Sequence, residues 1–315
     1  MIRRVIPGTE ILVPPVCLGT MTFGTPVGED DAVRLVHRAF DRGVDFIDTA
    51  NMYEGYARYA GSAGGVAERI VGRAVKGARH RYVIATKLGM KVGDAPEDQF
   101  TSPAAIRRQL DRSLSLLGTD YVDVYYLHRY DPATPPEEIV QAMDRERAAG
   151  RIRCYAVSNY APDPLAALLS AADRLGLPRP ALCQPPLSLL RPDALQSLVP
   201  LCASEGLGVV PYQILEGGLL TGKYRRGAAP PAGSRAEEKP DWVRPLDDAF
   251  FDRLDAIAAD AAAEGLPMLP YAILWALRQP AVLSAIVGAK RGEQIDAAVD
   301  AAERLGAAPA GRATP

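Results

Sequence analysis

Short apolar runs alternate with amphipathic stretches along most of this chain. The runs are dominated by aliphatic and aromatic residues and lack the strict alternation of a sheet with one face in water. Such runs are typical of parallel strands that are covered on both faces. We therefore predict eight strands, at residues 16–18, 44–47, 82–86, 122–127, 152–157, 181–183, 209–212 and 283–287.

The stretches between these strands repeat apolar residues at helical spacing, every three or four positions. Three of them have apolar faces with the following members: Val33, Val36 and Phe40; Ile106, Leu110, Leu114 and Leu117; Ile295, Val299, Ala302 and Leu305. Eight strand–helix units without a Gly/Ser-rich linker predict one closed (β/α)8 TIM barrel. We assign residues 1–306 to the barrel and expect the tail, 307–315, to be disordered.

A doubly wound sheet of the Rossmann type is the main alternative fold. It requires a GxGxxG fingerprint after its first strand, and residues 19–24 read GTMTFG instead. The opening residues, 1–13, predict a β-hairpin that turns at Pro7-Gly8 and plugs the barrel floor. Residues 225–248, after the seventh strand, are rich in Pro, Gly and charge, and predict a long loop without regular structure. Loops of this length usually cover a functional site.

Composition narrows the partners and the compartment. Hydrophobic residues make up 48% of the 315 residues, and the net charge is only −2, which favours neither nucleic acid nor an anionic membrane. No apolar run is long enough to span a membrane, and the N-terminus lacks a signal-peptide core. Cys17, Cys154, Cys183 and Cys202 form no CxxC pair, and the first three fall in strands as buried thiols. We therefore expect a cytoplasmic protein without a metal site.

Polar residues follow most of the predicted strands. Asp48 follows the second strand, Lys87 the third and His128 the fourth. The later strands end at Ser158-Asn159, Gln184, Tyr212-Gln213 and Gly288. Because the carboxyl ends of barrel strands form one rim, these groups are expected to converge there. Each has an ordinary explanation, such as a turn cap for Asp48 or a solvated Lys87, but these explanations do not account for an acid, a lysine and a histidine on consecutive strands.

Tyr53 lies in the loop after the second strand, close to Asp48 in sequence. A phenol has an ordinary pKa of about 10, which is too high for efficient acid–base catalysis near neutrality. A lysine cation ~4 Å away contributes ~4 kcal/mol at an effective dielectric constant of ~20, equivalent to roughly 3 pKa units. Burial opposes this effect. We expect Lys87 to lower the pKa of Tyr53 toward the working pH, Asp48 to orient Lys87, and His128 to bond the substrate oxygen.

Such a site protonates a carbonyl oxygen while hydride arrives at its carbon. Side chains do not supply hydride, so a nicotinamide cofactor is implied. Tyr212 is placed to stack on its ring. Lys290 and Arg291, after the last strand, could bind a phosphate at the start of a helix. Since the 2′-phosphate separates the two nicotinamide cofactors, this pair favours NADP over NAD.

Seven segments resemble the aldo-keto reductases, in order and over nearly the whole chain: CLGTMTFG, GVDFIDTANMY, VIATKLG, DVYYLH, YAVSNY, VVPYQILEGGLLTGKY and IVGAKRGEQ. The resemblance is to the bacterial and potassium-channel-β-like branches. It implies an NADPH-dependent carbonyl reductase with a catalytic tetrad of Asp48, Tyr53, Lys87 and His128. Together with the residues named above, it gives an expected cofactor site of Gly19, Thr20, Met21, Asp48, Ser158, Asn159, Gln184, Tyr212, Gln213, Leu215, Lys223, Arg235, Gly288, Lys290, Arg291 and Gln294.

The chain departs from similar proteins in three places. Gln213 stands where they usually carry Ser, and Ala297 and Ala298 replace an acid–amide pair that often holds adenine. Both changes bear on cofactor affinity. Residues 54–65, which include Tyr56, form an unusually long segment after the tetrad tyrosine. This segment either reshapes the substrate pocket or is a solvated loop.

Three further functions are compatible with the sequence. They are a cofactor-binding regulatory subunit with little turnover, an aldolase-like enzyme with a Schiff base on Lys87, and an NAD-linked sugar or polyol dehydrogenase. The expected pocket walls are residues 21–25, 53–59 and 129–131 with the loop after strand seven. Their mixture of polar and aromatic residues suits a sugar, polyol or other oxygenated small molecule. No pattern predicts the oligomeric state.

Overall fold

The computed structural model describes residues 1–59 and 61–306, so the predicted tail, 307–315, lies outside the described residues. The strands are β1 (Arg4–Val5), β2 (Leu12–Val13), β3 (Val16–Gly19), β4 (Phe46–Asp48), β5 (Val83–Leu88), β6 (Val122–Leu127), β7 (Ile152–Ser158), β8 (Leu182–Gln184), β9 (Gly208–Val209) and β10 (Ala285–Gly288). The helices are α1 (Glu29–Asp41), α2 (Val66–Ala74), α3 (Pro103–Leu117), α4 (Pro136–Ala148), α5 (Pro162–Leu175), α6 (Leu198–Ser204), α7 (Arg235–Glu238), α8 (Asp248–Ala263), α9 (Met268–Leu277) and α10 (Gly292–Glu303).

Eight parallel strands form one sheet in the order β10-β3-β4-β5-β6-β7-β8-β9. The sheet closes between its two edges, where Val209 forms a parallel bridge to Val282 and the Leu283 N–H donates to the Val209 carbonyl at 2.9 Å. The predicted (β/α)8 TIM barrel is therefore confirmed. The seventh strand is shorter than predicted, because Pro211 has no amide hydrogen to continue the ladder.

Two apolar layers hold the barrel together. Alternate residues of each strand face its interior or the surrounding helices, as the pleat requires. Tyr126 thus belongs to the cluster inside the barrel, whereas its neighbour Tyr125 packs with the helices. The predicted apolar face of α3 is buried along its whole length, from Ile106 to Leu117. This packing fixes the strands whose carboxyl ends carry the candidate site.

The predicted N-terminal hairpin is confirmed. β1 pairs with β2 in antiparallel register, and Gly8 supplies the positive φ of the turn at +71°. Ile6, Ile11 and Val13 are buried in the same cluster as the interior residues of the barrel strands. The hairpin therefore closes the barrel at the end opposite to the strand carboxyl termini.

Residues 225–248 are more ordered than predicted. The prediction of a stretch without regular structure is wrong in its middle, where α7 begins after Ser234, whose hydroxyl accepts from the Glu237 N–H at 3.3 Å. Ala236 is buried in a small satellite core with Tyr224 and residues of α8. A short capped helix on its own apolar base gives this segment a defined position beside the barrel mouth.

Candidate active site

Lys87 connects three of the four predicted tetrad residues. Asp48 ends β4, and its pairing partner on β5 is Ala85, two residues before Lys87. The Lys87 side chain is completely buried. Its ammonium donates to Asp48 Oδ1, to the Thr49 carbonyl at 2.9 Å and to the Tyr53 hydroxyl at 3.3 Å. All three ammonium hydrogens therefore have acceptors.

The hydrogen-bond partners of Lys87 stabilise its positive charge. Burial alone lowers the pKa of a lysine. Here the Asp48 carboxylate and the Tyr53 hydroxyl outweigh burial, and the pKa of Lys87 is raised above its ordinary value. The residue therefore remains an ammonium near neutral pH. Lys87 also lies within β5 rather than just after it, so the sheet itself fixes its backbone.

Tyr53 keeps its proton, contrary to the expectation that Lys87 would bring its pKa toward neutrality. Burial of the phenol is the largest effect and raises the pKa of Tyr53 above its ordinary value. Lys87 lowers this pKa, but the Asp48 carboxylate counteracts it because the lysine and the acid form a nearly neutral pair. The site without cofactor therefore presents a neutral phenol, which can donate a proton.

His128 completes the group on the side of β6. Its ring lies 6.0 Å from the Tyr53 ring, centroid to centroid, at an interplanar angle of 80°. Nδ1 is buried and has no hydrogen-bond partner within 1–59 and 61–306. Burial, followed by the charges of Lys87 and Arg129, holds the pKa of His128 well below its usual range. The imidazole is therefore neutral and can bond an oxygen without adding charge.

A polar network supports Asp48 from neighbouring strands. Gln184 Nε2 donates to Asp48 Oδ2 at 2.8 Å, and the Ser158 hydroxyl donates to the Gln184 carbonyl at 3.0 Å. Thr20 donates to the Asp48 carbonyl through both its amide and its hydroxyl, each at 3.0 Å. Gly19 pairs with Asp48 across β3 and β4. Four residues expected to bind cofactor thus also position the tetrad acid.

Asn159 is bonded at both ends of its carboxamide. Nδ2 donates to the His128 carbonyl at 2.8 Å, and Oδ1 accepts from the Tyr212 hydroxyl at 2.8 Å. The residue has a positive φ of 57°, in the left-handed region that asparagine tolerates better than most residues. Asn159 therefore links the tetrad histidine to the tyrosine expected to face the nicotinamide.

A tight turn follows Tyr212. Gln213 has a positive φ of 58°, and its side-chain oxygen accepts from Arg191 at 3.0 Å. Gly218 has a φ of +98°, and a Cβ there would lie 3.1 Å from the ammonium nitrogen of Lys223. A Cβ at Gly217 would lie 3.3 Å from Cγ of Arg235. Lys223 and Arg235, two residues of the expected cofactor site, therefore meet the turn at its glycines.

The cations around this turn lack enough counterions. Burial, followed by the charges of Lys290 and Arg291, lowers the pKa of Lys223. Nε of Arg235 is buried without a hydrogen-bond partner in the described part of the chain. Positive groups that depress one another's protonation and leave a buried donor unpaired favour an anion between them. The residues present therefore fit the phosphates of a dinucleotide.

Lys290 is not free in this structure. Its ammonium donates to the Gly233 carbonyl at 3.0 Å and forms an ion pair with Glu238, both from the 225–248 segment. The carboxamide oxygen of Gln294 accepts from the backbone amides of Lys290, at 2.7 Å, and Arg291, at 3.1 Å. The structure thus brings Lys290, Arg291 and Gln294 of the expected cofactor site together but places the Glu238 carboxylate among them.

The remaining predicted residues contribute surface more than polar contacts. Met21 is half-buried in the loop after β3, and Leu215 packs partly against the apolar core. Gly288 ends β10 and is exposed. Ala298 is buried in the core, so its side chain offers no polar group in place of the missing acid–amide pair.

The 54–65 segment is anchored, so the alternative of a solvated loop does not hold for its first part. Gly55 has a φ of +63°, and a Cβ there would lie 1.8 Å from the Thr25 carbonyl oxygen, so only glycine fits. The Glu54 carboxylate accepts from the Gly64 N–H at 2.9 Å. Tyr59 is 69% exposed. The segment therefore packs on the loop after β3, and Ala57, Tyr59 and Ala63 are its exposed members among the described residues.

Sequence reasoning missed Gln109, whose carboxamide oxygen accepts from Asn51 at 2.8 Å and from the Gly89 N–H at 2.9 Å. These bonds tie the loop that carries Tyr53 to the loop after β5. Gln109 lies three residues after Ile106, on the apolar face of α3. Its inward position could have been read from helical spacing.

One predicted wall residue faces away from the pocket. The Asp131 carboxylate is buried and accepts from the Thr101 N–H at 3.0 Å and from the Thr134 hydroxyl at 2.8 Å. Asp131 therefore stabilises the loop after β6, to which it belongs. Tyr130 is 43% exposed and Arg129 is exposed, with the guanidinium 5.1 Å from the Phe100 ring.

Comparison with known proteins agrees with this site. The model of the aldo/keto reductase family matches residues 15–306. The uncharacterized oxidoreductase YrpG of Bacillus subtilis (strain 168) is 32% identical over 302 residues, covering 94% of this chain and 89% of the relative. A probable voltage-gated potassium channel subunit beta of Oryza sativa subsp. japonica is 33% identical over 281 residues, covering 87% and 83%. The chain belongs to the aldo/keto reductase family.

Two further relatives indicate the range of chemistry. The L-glyceraldehyde 3-phosphate reductase of Escherichia coli O157:H7 is 30% identical over 304 residues, covering 93% of this chain and 85% of the relative. The structure of the glycerol dehydrogenase AKR11B4 from Gluconobacter oxydans superposes with a TM-score of 0.78 at 29% identity, covering 95% and 89%. The chain is thus an NAD(P)H-dependent oxidoreductase for small carbonyl or alcohol compounds. Within 1–59 and 61–306, no helix is long and apolar enough to cross a membrane.

Proposed function

We propose that this chain reduces an aldehyde or ketone with NADPH and that Tyr53 is the general acid. The observation that carries the proposal is the contact series at the barrel rim, in which Asp48 binds Lys87 and Lys87 binds the Tyr53 hydroxyl at 3.3 Å. The bound nicotinamide supplies hydride to the carbonyl carbon. Tyr53 then donates its proton to the oxygen, and Lys87 stabilises the phenolate that remains.

His128 and the supports of Asp48 complete these roles. The neutral His128 ring lies beside Tyr53 and bonds the substrate oxygen, which orients the carbonyl for protonation. Asp48, held by Gln184, keeps Lys87 in place. A positioned acid contributes roughly 10²–10⁴-fold to a rate.

The state of Tyr53 favours reduction over oxidation. Reduction needs a protonated phenol, and the raised pKa of Tyr53 provides one at neutral pH. Alcohol oxidation needs the phenolate as a base, which is scarce until the pH approaches the phenol pKa. We therefore propose carbonyl reduction as the direction favoured near neutrality.

NADPH preference would come from Lys290 and Arg291. Two charge-assisted contacts to a 2′-phosphate are worth ~1.5–3 kcal/mol each before the discount for solvent exposure. This allows a preference of roughly one to two orders of magnitude. The ion pair between Lys290 and Glu238 opposes it, since a phosphate must displace or tolerate a carboxylate. The same pair is the observation that favours a second candidate, an NAD-linked sugar or polyol dehydrogenase.

An aldolase-like enzyme and a regulatory subunit are less well supported by this site. A Schiff-base lysine needs a neutral amine, whereas all three hydrogens of the Lys87 ammonium are engaged and its pKa is raised. A regulatory subunit, as the name of the rice relative suggests, has no need of a proton donor. Here Tyr53 and His128 are both present beside the lysine.

The mouth suits an oxygenated substrate. Exposed Arg129 and Tyr130 lie on the loop after β6, and half-buried Tyr56 lies on the loop that carries Tyr53. Cations and phenols bind hydroxyl or phosphate groups better than they bind hydrocarbon. We propose a sugar, polyol or similar metabolite as the substrate class.

We also propose that residues 1–306 form one barrel domain that works in the cytoplasm. The eight parallel strands form a single sheet, which supports one barrel domain. Four free and buried cysteine thiols support a reducing compartment.

Titration of nicotinamide fluorescence with NADPH and NADH, followed by a panel of aldehydes and ketones, tests the proposal. We expect saturable binding with tighter NADPH and turnover of at least one oxygenated carbonyl compound. Binding of neither cofactor would contradict it, and tighter NADH with preferential alcohol oxidation would favour the dehydrogenase.

A further inference from the structure

An exposed arginine directly follows the tetrad histidine. Arg129 lies in the loop after β6, next to His128. The His128 N–H donates to the Leu88 carbonyl at 2.9 Å, which fixes the start of this loop against the end of β5. The charge of Arg129 also contributes to the lowered pKa of His128. The guanidinium is therefore close enough to act on the ring that is proposed to bond the substrate oxygen.

Arg129 has no counterion among residues 1–59 and 61–306. In this part of the chain it forms no salt bridge and donates no hydrogen bond. Its guanidinium carbon lies 5.1 Å from the centroid of the Phe100 ring, within the range of a cation–π interaction. A ring face attracts the cation without occupying its fork of five N–H donors. These donors therefore remain available to a ligand.

The acid nearest to Arg129 in the sequence is engaged elsewhere. Asp131 is buried, and its Oδ2 accepts from the Thr101 N–H at 3.0 Å, from the Thr101 hydroxyl at 3.1 Å and from the Thr134 hydroxyl. Its Oδ1 accepts from the Ala133 N–H at 2.9 Å. Because Thr101 directly follows Phe100, the same bonds join the loop of the arginine to the loop of the ring. Asp131 thus fixes this pair without neutralising it.

Phe100 is held in a strained backbone conformation. Its φ of +61° lies in the left-handed region, which a bulky residue rarely adopts. The Phe100 N–H donates to the Gly89 carbonyl at 3.0 Å, and its carbonyl accepts from Gln109 Nε2 at 3.4 Å. Gln109 also accepts from Asn51, so the loop of Tyr53 shares this anchor. Strain of this kind concentrates at ligand-binding sites, and here it presents a ring to a cation at the barrel rim.

We infer that Arg129, supported by Phe100, binds an oxyanion of the substrate, and that the chain therefore selects carbonyl compounds that carry a carboxylate or a phosphate. A guanidinium binds either group through two parallel N–H···O bonds. The inference rests on the proposed carbonyl reduction and narrows its substrate class. Because the anion is bound equally in the ground state and in the transition state, loss of this contact should act mainly on KM.

The first test compares aldehydes that differ in charge, with NADPH as the reductant. The pairs are 4-oxobutanoate with its methyl ester, and glycolaldehyde phosphate with glycolaldehyde. In at least one pair, wild type should have a kcat/KM about 10- to 100-fold higher for the anion, as charge-assisted bonds allow. Arg129→Met should remove most of this ratio through KM and leave the neutral partner within about twofold of wild type. The pair that shows the larger ratio identifies the preferred anion.

The matched control is Arg107→Met, which alters an exposed arginine of α3 and should behave as wild type. Three outcomes would overturn the inference. The first is equal kcat/KM for anion and neutral partner in both pairs. The second is an equal loss for anion and neutral partner in Arg129→Met, which would show a structural role. The third is an equal effect of Arg107→Met, which would show that net surface charge is responsible.

The second test examines the support that the ring gives to the guanidinium. Phe100→Leu keeps an apolar side chain and removes the ring face. It should lower kcat/KM for the preferred anion by about two- to fivefold, the contribution of an exposed cation–π contact, and leave the neutral partner unchanged. Combined with Arg129→Met it should add little, because the ring acts through the arginine. Full additivity would overturn the role of Phe100 as a support.

The third test measures binding without turnover. Tyr53→Phe protein, with and without NADP, is titrated calorimetrically with 4-hydroxybutanoate and with 2-hydroxyethyl phosphate. Adding Arg129→Met should raise Kd for the preferred anion by about 10- to 100-fold. Arg129→Lys keeps the charge without the planar fork and should lose less. A Kd that Arg129→Met leaves unchanged for both anions would overturn the inference. If wild type reduces no aldehyde, the proposed function fails, while this titration still decides whether Arg129 binds an anion.

Discussion

At the scale of single residues, Tyr53 shows how two opposing effects decide a charge state. A lysine 3.3 Å from a phenol oxygen stabilises phenolate, but Asp48 binds the same lysine and cancels much of its field. Burial is then the larger effect, and the pKa of Tyr53 rises. The direction expected from the sequence was wrong because it let the field of Lys87, taken at an assumed distance, outweigh the burial that opposes it.

The pH dependence of kcat follows from the raised pKa of Tyr53. Because the pKa of Tyr53 is raised above its ordinary value of about 10, the protonated form predominates from neutral pH to about 9. We expect kcat for reduction to stay level from neutral pH to about 9 and to fall only above it, while kcat for oxidation rises over the same range. Steady-state profiles in both directions check this. A reduction rate that falls tenfold per pH unit between 7 and 9 would mean a lowered pKa.

The buried ion pair gives a stability prediction. Asp48→Ala leaves the wholly buried Lys87 without its carboxylate, and breaking a buried pair costs about 3–5 kcal/mol. Urea denaturation should show a loss of that size in the free energy of unfolding. The double variant Asp48→Ala/Lys87→Met should recover part of the loss, because no charge is then left buried. A double variant that is no more stable than Asp48→Ala would contradict the account.

At the scale of elements, the strands were predictable because burial on both faces makes them continuously apolar. β6 has the predicted bounds, β3 and β7 each extend one residue further, and β4 and β5 differ by one or two residues at both ends. Those extra residues include Asp48 and Lys87, which are polar yet belong to their strands because the barrel interior satisfies them. The pattern of apolar residues in the sequence does not show that such polar residues belong to a strand.

The 225–248 segment was harder to predict. α7 is four residues long and has no room for a periodic pattern, although Ser234 is a recognisable cap. Its contact with Tyr56 joins parts of the chain that are far apart in sequence. No local rule predicts such a pair, and the ion pair between Glu238 and Lys290 was unpredictable for the same reason.

We expect this segment to clamp the cofactor. Hydrogen exchange over residues 225–248 should slow when NADP is added, because phosphates would neutralise Lys223 and Arg235 and hold the segment against the turn. The N-terminal hairpin, at the opposite end of the barrel, is the internal control and should not change. Unchanged exchange of the segment at saturating NADP would indicate a passive surface element.

At the scale of the molecule, one family fold brings polar strand ends to one rim, and we propose that the cofactor preference depends on the charges around that rim. The tetrad residues could be located from the sequence because their positions follow from the order of strands. The balance of Lys290, Arg291 and Glu238 could not, since it depends on which side chain of the 225–248 segment reaches the last helix.

Measuring KM for NADPH and NADH in charge variants tests the balance between Glu238 and the cations Lys290 and Arg291. Lys290→Ala/Arg291→Ala should raise KM for NADPH by about 10- to 100-fold and change that for NADH little, because only the 2′-phosphate needs the cations. Glu238→Gln should lower KM for NADPH by releasing Lys290. Glu293→Gln, an exposed acid on α10, is the matched control for charge alone. Equal losses for both cofactors in the double variant would refute the assignment.

The central claim is that Tyr53 delivers the proton in carbonyl reduction, and single-turnover oxidation of bound NADPH by Tyr53→Phe tests it most directly. The control is Tyr121→Phe, which alters a tyrosine just before β6, at the other end of the barrel. The account predicts a loss of roughly 10²–10⁴-fold for Tyr53→Phe, with NADPH affinity close to wild type and no loss for Tyr121→Phe. Retention of more than about a tenth of the wild-type rate by Tyr53→Phe would remove this residue from the mechanism.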